Sequence, residues 1–372
     1  MPLTKTRFGA RMRADPVGDM GATRRGGTRR HPPWWCLLPA VLLAACSSRP
    51  NVSPASTATS GRPSSPTSPP TTSSAARSAG ALSSGLWVSD IHANTVTMFG
   101  SPPASSPVET LRNGLDHPEA LAFDSQGNLW VGDGGARPAI LEYTASTTAS
   151  GSGPVTMIPT RGVAPEGLAF DARGNLWVAG GGVVLELAAT SLHHAPSPAR
   201  VITTPSLLDG PDAVAFDSQG NLWVANYDNR VLLEFPERSL STSHPQPQLH
   251  VQLPGGAAPF AIAFDTHGDL WVACQNDNVY EYAASSLGTT DIPSATIDMS
   301  TFISGGVVGL AFDAQGDLWA SAVGSSNSGA PEGTVYEYAA SSLGTTDTPT
   351  AHLVASTSSN PGTWALAFSS AR

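Results

Sequence analysis

The chain has 372 residues, of which only 13% are charged, with 37 glycines and 32 prolines; that is length for one large or two ordinary domains, rich in turns and poor in surface helix. The formal net charge is −10, but residues 1–45 hold eight of the 19 basic residues and two of the 29 acids, so the chain from Cys46 onward sets 11 basic residues against 27 acidic ones, a balance of −16, and has no lysine. Such a surface repels phosphate backbones, which sets nucleic acid aside and favours a cation or a basic partner.

The first 35 residues are basic, with the pairs Arg24-Arg25 and Arg29-Arg30. An apolar run from Trp34 to Ala45 follows, broken by Pro39. It is too short to span a membrane and has the length of a signal-peptide core. It ends Leu43-Ala44-Ala45-Cys46, small residues before a cysteine, which resembles the bacterial lipobox. The reading is a signal peptide over 1–45 and a lipidated Cys46. The long basic region leaves Met12 or Met20 open as the start, and its arginine pairs leave the export route open. Residues 47–84 are almost all Ser, Thr, Pro and Ala. They cannot bury enough apolar surface to offset ordering entropy, so 46–84 reads as a disordered tether from a membrane anchor.

From residue 85 one phrase recurs. Pro118 to Gly132 reads PEALAFDSQGNLWVG, Pro165 to Ala179 PEGLAFDARGNLWVA, Pro211 to Ala225 PDAVAFDSQGNLWVA, and Pro259 to Ala273 PFAIAFDTHGDLWVA; Val307 to Ala320 is a fifth copy. Phe123, Phe170, Phe216, Phe264 and Phe312 mark a period of 46 to 48 residues, the scale of propeller blades. Each copy parses as a short strand, an Asp-x-x-Gly turn and a second strand. A third strand follows (Ile140–Tyr143, Val184–Leu187, Val231–Phe235, Val279–Tyr282, Val335–Tyr338), then a weaker fourth, such as Val201–Thr204 or Ala295–Asp298. Gly85–Asp90 has a second strand without a first, and Gly362–Phe368 a first without a second. Together they make one composite blade that closes the ring and removes its edges. The expected fold is all-β, a six-bladed propeller over 85–372. One tryptophan per second strand (Trp87, Trp130, Trp177, Trp223, Trp271, Trp319) is expected as a buried wedge between sheets, and the Asp of each Phe-Asp as a turn former. Only Cys274 of the three cysteines lies in the repeats, so no disulfide can hold them; it reads as a small buried residue.

Pro-Glu-Gly-Leu-Ala-Phe-Asp-x-x-Gly-Asn-Leu-Trp-Val-Ala resembles the repeat of NHL-type six-bladed propellers and of the gluconolactonase and senescence marker protein family. The resemblance spans about residues 85–372. It is specific for architecture and weak for activity, because such propellers include hydrolases, lyases and binding scaffolds. In these proteins the residue before the first strand and the loop between second and third strands open on one mouth of the channel. The first position reads Glu119, Glu166 and Asp212 in three successive blades, then Phe260, Val308 and Thr363; the loops supply Asp90, His92, Asn94, Asp133, Asn226, Asp228, Asn229, Gln275, Asn276, Asp277 and Asn278. Oxygen donors of this kind suit Ca²⁺ or another divalent cation. By resemblance to the gluconolactonases, Glu119, Glu166 and Asp212 would hold a metal that polarises a lactone carbonyl. The Pro-Asn-Gly wording of those enzymes is missing from every blade. A Glu or Asp after Pro is also ordinary repeat wording. A second resemblance, to virginiamycin B lyase, would cast His117 or His92 as a general base. His193-His194 falls in an outer loop and reads as surface.

Three functions remain open from the residues. The first is an extracytoplasmic scaffold, tethered to the membrane at Cys46, that binds a protein, peptide or glycan; near-uniform repeats favour it. The second is a metal-dependent hydrolase or lyase at the acidic mouth, favoured by the three acids in successive blades. The third is a surface protein without a discrete ligand. A monomer is expected in each case.

Overall fold

The computed structural model describes residues 85–100, 106–194, 196–203, 207–242, 244–323, 333–345, 348–355 and 362–369. The leader, Cys46 and the tether lie outside them. Among the described residues no helix is long and apolar enough to cross a membrane.

Among the described residues, twenty-four strands form six antiparallel four-stranded sheets. Five sheets take their strands in chain order, as a hairpin meander does, and the sixth begins with the last described strand. Blade 1 starts with Pro118–Phe123, blade 2 with Gly167–Phe170, blade 3 with Pro211–Phe216, blade 4 with Pro259–Phe264 and blade 5 with Val307–Phe312. Blade 6 is composite: Thr363–Ser369 pairs with Gly85–Asp90, followed by Thr95–Gly100 and Pro107–Leu111. Each first strand touches that of the next blade, and Thr363–Ser369 touches both Val307–Phe312 and Pro118–Phe123. The six first strands therefore line a closed ring. The chain is a six-bladed β-propeller.

The wedge expected of the tryptophans is present, and it is directional. Trp130 stands edge-to-face on Phe170, Trp177 on Phe216, Trp223 on Phe264, Trp271 on Phe312, Trp319 on Phe368 and Trp87 on Phe123, with ring centroids 5.8–6.2 Å apart. Every blade thus packs its indole on the phenylalanine of the next. Each such pair adds about 0.5–1.5 kcal/mol beyond the area it buries.

The repeated aspartate does more than form a turn. One oxygen of Asp217 accepts the backbone N–H groups of Gln219 and Asn221, 2.9 Å each. The other accepts Trp223 Nε1–H at 3.2 Å and the Asn221 side-chain amide at 2.8 Å. Blades 1, 2, 4 and 5 make the same indole bond, to Asp124, Asp171, Asp265 and Asp313, at 3.1–3.4 Å. The turn glycine takes positive φ, as at Gly220 (82°), a conformation only glycine reaches without cost. In blade 6 Ser369 stands in the aspartate's place, and its Oγ accepts Trp87 Nε1–H at 3.3 Å and Gly85 N–H at 3.1 Å.

Candidate functional site

The first strands begin earlier than the sequence predicts. In blades 1, 3 and 4 they start at the proline of the motif, and in blades 5 and 6 at the residue in its place, so the next residue lies inside the strand. The register slips there, between Pro118 and Ala120, Pro211 and Ala213, Pro259 and Ala261, and Val307 and Gly309. Glu119, Asp212, Phe260 and Val308 are the extra residues of four β-bulges, a device that re-aims a side chain. Glu166 has the same place in blade 2, just ahead of Gly167–Phe170, with its N–H donated to Ala179 O at 2.9 Å. In blade 6 the slip falls between Thr363 and Leu366. Counting four residues back from Phe368, as from Phe123 to Glu119, gives Trp364. Trp364, not Thr363, is the sixth member of the set; Thr363 holds the proline's place and is buried.

Phe260 of blade 4 and Trp364 of blade 6 meet edge-to-face at 5.9 Å, across Val308 of the blade between them. Tyr227, from the loop after the second strand of blade 3, lies on Phe260 at 4.9 Å. These three aromatics are half-buried. In ring order the mouth reads Glu119, Glu166, Asp212, then Phe260, Val308, Trp364: one half carboxylate, one half apolar. Glu119 and Asp212 are buried and Glu166 is half-buried.

The loop residues divide by what they hold. Second strands end where first strands start (Pro118 faces Asp133, Pro211 faces Asn226), so their last side chains reach the loop that leads into the first strand. Asp133 accepts Asp116 N–H at 2.7 Å, Asn226 accepts Asp209 N–H at 2.8 Å, and Asp90 accepts Gly362 N–H at 3.1 Å together with His92 and Ala93 N–H. Asp277 accepts Gly305 and Gly306 N–H at 3.0 and 2.7 Å. Asn276 donates to the Tyr280 hydroxyl at 2.8 Å. Asp228 is exposed on the rim, as is His92. Much of the polar set expected to face a ligand therefore holds the loops in place.

Blade 1 carries the densest polar group. His117 has φ +72°, uncommon without glycine. Its N–H donates to Asn94 Oδ1 of the neighbouring blade at 2.8 Å, and its carbonyl accepts Gly134 N–H at 2.9 Å. Its ring Nδ1 donates to Glu119 Oε1 at 3.0 Å, with the imidazole 38% exposed. With Nδ1 as the donor, a neutral ring would carry its lone pair on Nε2. Asp133 lies below. Burial, then the neighbouring Asp116 and Glu119 carboxylates, push its carboxyl up to about 6 against the backbone bond and His117. Asp116 has no motif to announce it; only the folded loop brings it to this group.

Among the described residues, the metal-ligating group whose atoms all lie within 4.8 Å of one another is Asp265, His267 and Asp269, at the Asp-x-x-Gly turn of blade 4. Its carboxylates already serve the turn, Trp271 and Ala284 N–H. Glu119, Glu166 and Asp212 share a motif position without forming such a group. Cys274 is fully buried, and burial pushes its thiol far up, which keeps it protonated. His193, expected as plain surface, packs against Trp130 at 6.0 Å and places Nδ1 3.1 Å from Glu142, so it pins blade 2 to blade 1.

No family model and no curated protein matches the chain. Its resemblance to NHL and gluconolactonase repeats therefore rests on the motif wording. Solved structures do match. A protein of unknown function from Bacteroides caccae aligns at 15% identity and TM-score 0.55, covering 76% of this chain and 98% of its own. A streptogramin B lyase aligns at 16% and 0.49, covering 71% and 80%, and virginiamycin B lyase from Staphylococcus aureus at 16% and 0.47, covering 70% and 80%. At these identities the likeness is one of fold.

Proposed function

We propose that the protein is an exported binding propeller, lipidated at Cys46 and carried on the 47–84 tether outside the cytoplasmic membrane, with its ligand site at the split channel mouth. The observation that supports this most is the half-buried Tyr227–Phe260–Trp364 cluster, with carboxylates at the other three positions of the ring. Apolar walls with a few polar groups are the usual make-up of a small-ligand site. The test is ligand-observed NMR of the exported protein against aromatic fragments of each charge type. Binding that Trp364→Ala removes supports the reading; a parent protein that binds none of them sinks it.

The strained His117 and its bond to Glu119 favour a second reading, a hydrolase or lyase with His117 as base. Glu119, Glu166 and Asp212 would be its oxygen ligands for a divalent ion such as Ca²⁺, which would supply Lewis acidity. Their separation means that an ion would have to draw them together. Thermal melting with millimolar CaCl₂ checks this: a midpoint rise lost in Glu166→Ala favours a metal, and an unmoved midpoint counts against it.

A further inference from the structure

We propose that a second site, apart from the mouth, lies between blades 2 and 3 and takes a small planar carboxylate with a single apolar ring or less. A cavity of about 150 Å³ opens there, at the end of the sheets that carries the Asp-x-x-Gly turns. Trp177 of blade 2 and Phe216 of blade 3, the edge-to-face pair of this junction, both line it. So do two arginines of blade 2, Arg173 and Arg200, with Glu186 and Glu237 as their partners.

Comparison of the repeats singles this junction out. Arg173 stands in the turn where the other whole blades have Gln126, Gln219, His267 and Gln315. Arg200 faces Glu186 across the sheet, where the equivalent glutamates face Thr156, Leu249, Ala295 and Ala351. Glu237 donates its N–H to the turn's Asn221, a bond that Ala189, Ala284 and Ala340 make in their own blades. Three repeat positions thus gain a charge at one junction of an otherwise uniform array. The other junctions are occupied differently. In the loop after the third strand, Ser241 has the place of His193, which packs on Trp130 and bonds Glu142 between blades 1 and 2. Between blades 3 and 4 that place is Gly288, where an added Cβ would run into Leu249, the residue at Arg200's own position.

Hydrogen-bond accounting gives the chemistry. A guanidinium has five N–H donors. Arg173 commits one, from Nη2 to Glu237 Oε1 at 2.6 Å. Arg200 commits two, from Nε to Glu186 Oε2 at 2.6 Å and from Nη1 to Leu240 O at 2.5 Å. The remaining donors of both have no partner among the described residues. The turn acids of the cavity are already engaged: Asp171 and Asp217 each accept four N–H bonds from their own turns and tryptophans. Glu186 and Glu237 each keep one oxygen beyond their arginine. Uncommitted donors therefore outnumber uncommitted acceptors, and an acceptor-rich occupant matches them.

Charge and size narrow the class. A carboxylate meets a guanidinium fork with two parallel bonds. The acids in the lining would repel a dianion such as a phosphate ester more than a monoanion. A dry space of this volume is enough for a benzene ring, and Phe216 and Trp177 give such a ring apolar company.

Titration of the full chain with benzoate, benzyl alcohol and phenyl phosphate tests this, followed by ¹H–¹⁵N NMR of the indole N–H groups. The Trp177 signal is assigned by its loss in Trp177→Phe. Benzoate is expected to move that signal and leave that of Trp271 in place, and to bind about ten-fold more tightly than either other probe. Arg173→Gln, an exposed side chain, should remove that preference and leave the alcohol unchanged. Arg200→Lys keeps the charge but loses the fork, so it should weaken benzoate as well, with circular dichroism as the folding control. The mouth variant Trp364→Ala should leave the titration unchanged, which separates this site from the one proposed above. A Trp177 signal unmoved by millimolar benzoate, or benzoate affinity equal in the parent and both arginine variants, overturns the site and leaves the arginines as clamps between blades. Tighter binding of the alcohol or the phosphate ester overturns the carboxylate assignment.

Discussion

Trp319 and Phe368 meet edge-on, their centroids 6.1 Å apart and their planes 63° from parallel. This is the sixth of six such contacts, and it joins blade 5 to the strand that completes blade 6. The junction repeats the geometry of Trp177 on Phe216. Phe368→Ala is therefore expected to cost as much as Phe216→Ala, about 1–3 kcal/mol from the lost ring pair and buried area. Urea unfolding of the two variants side by side checks this; a silent Phe368→Ala would mean that the composite blade is not part of the cooperative ring.

Asp217→Ala removes one acceptor for two turn amides, and another for Trp223 and Asn221. At about 0.5–1.5 kcal/mol for each net bond, the loss should reach about 2–4 kcal/mol. Asp217→Asn keeps one oxygen but turns an amide donor toward two other donors, so about half the loss is expected. Equal midpoints for the parent and both variants in denaturant would refute the indole's dependence on the carboxylate.

Gly132 stands where Ala179, Ala225 and Ala273 stand in the next three blades. A repeat consensus would put alanine there. A Cβ on Gly132 would come 2.4 Å from Pro165 O, the backbone of blade 2. Gly132→Ala is expected to destabilise by about 1–3 kcal/mol, as overpacking does. A higher melting temperature for this variant would show that the blades separate more easily than their packing implies.

Asp133 gives a pH dependence with a definite sign. Its carboxyl is raised from 3.8 to about 6, chiefly by burial, so the folded state prefers it protonated. Its contribution is fully present below the unfolded value and is lost as pH rises through about 6. Burial likewise raises Glu186, Glu234, Glu281 and Glu337, so the trend is shared. Melting temperature should fall between about pH 4 and 6.5, and Asp133→Asn should flatten part of that slope. A slope unchanged in the variant would remove Asp133 as its source.

The lipidation proposed for Cys46 has its own measurement. Cys46→Ser should abolish incorporation of a clickable fatty acid and release the protein from membranes. Retention of label would place the anchor elsewhere.

The ring was legible because each blade repeats the same local physics. One tryptophan per second strand, one Asp-x-x-Gly turn and a period near 47 leave few other closed arrangements. The two half-copies could pair only with each other. The mouth was less legible. The three acids were visible, but their partners were not. The last copy has Thr363 where the motif has proline, which shifts the sequence alignment by one residue; counting back from Phe368 gives Trp364. Tyr227 belongs to no motif, and its place over Phe260 depends on two blades meeting. The loop groups Asp90, Asp133, Asn226 and Asp277 read as ligands because sequence shows donors and acceptors, not which backbone amides stand opposite them. His193 is exposed, as its outer-loop place predicts; its bond to Glu142 is invisible in sequence because Glu142 belongs to another blade.

The composite blade sets an order of events during synthesis. Gly85–Asp90 is made first among the described strands and stays without its inner neighbour until Thr363–Ser369 has been made, 272 residues separating the Asp90–Gly362 bond. Until then Trp87 has no Ser369 hydroxyl for its indole, and Trp319 has no ring to lie on. Five blades can be complete while the circle is still open at both ends. The export proposed above would avoid that open intermediate if the chain crossed the membrane unfolded, and would have to wait for the final strand if it crossed folded.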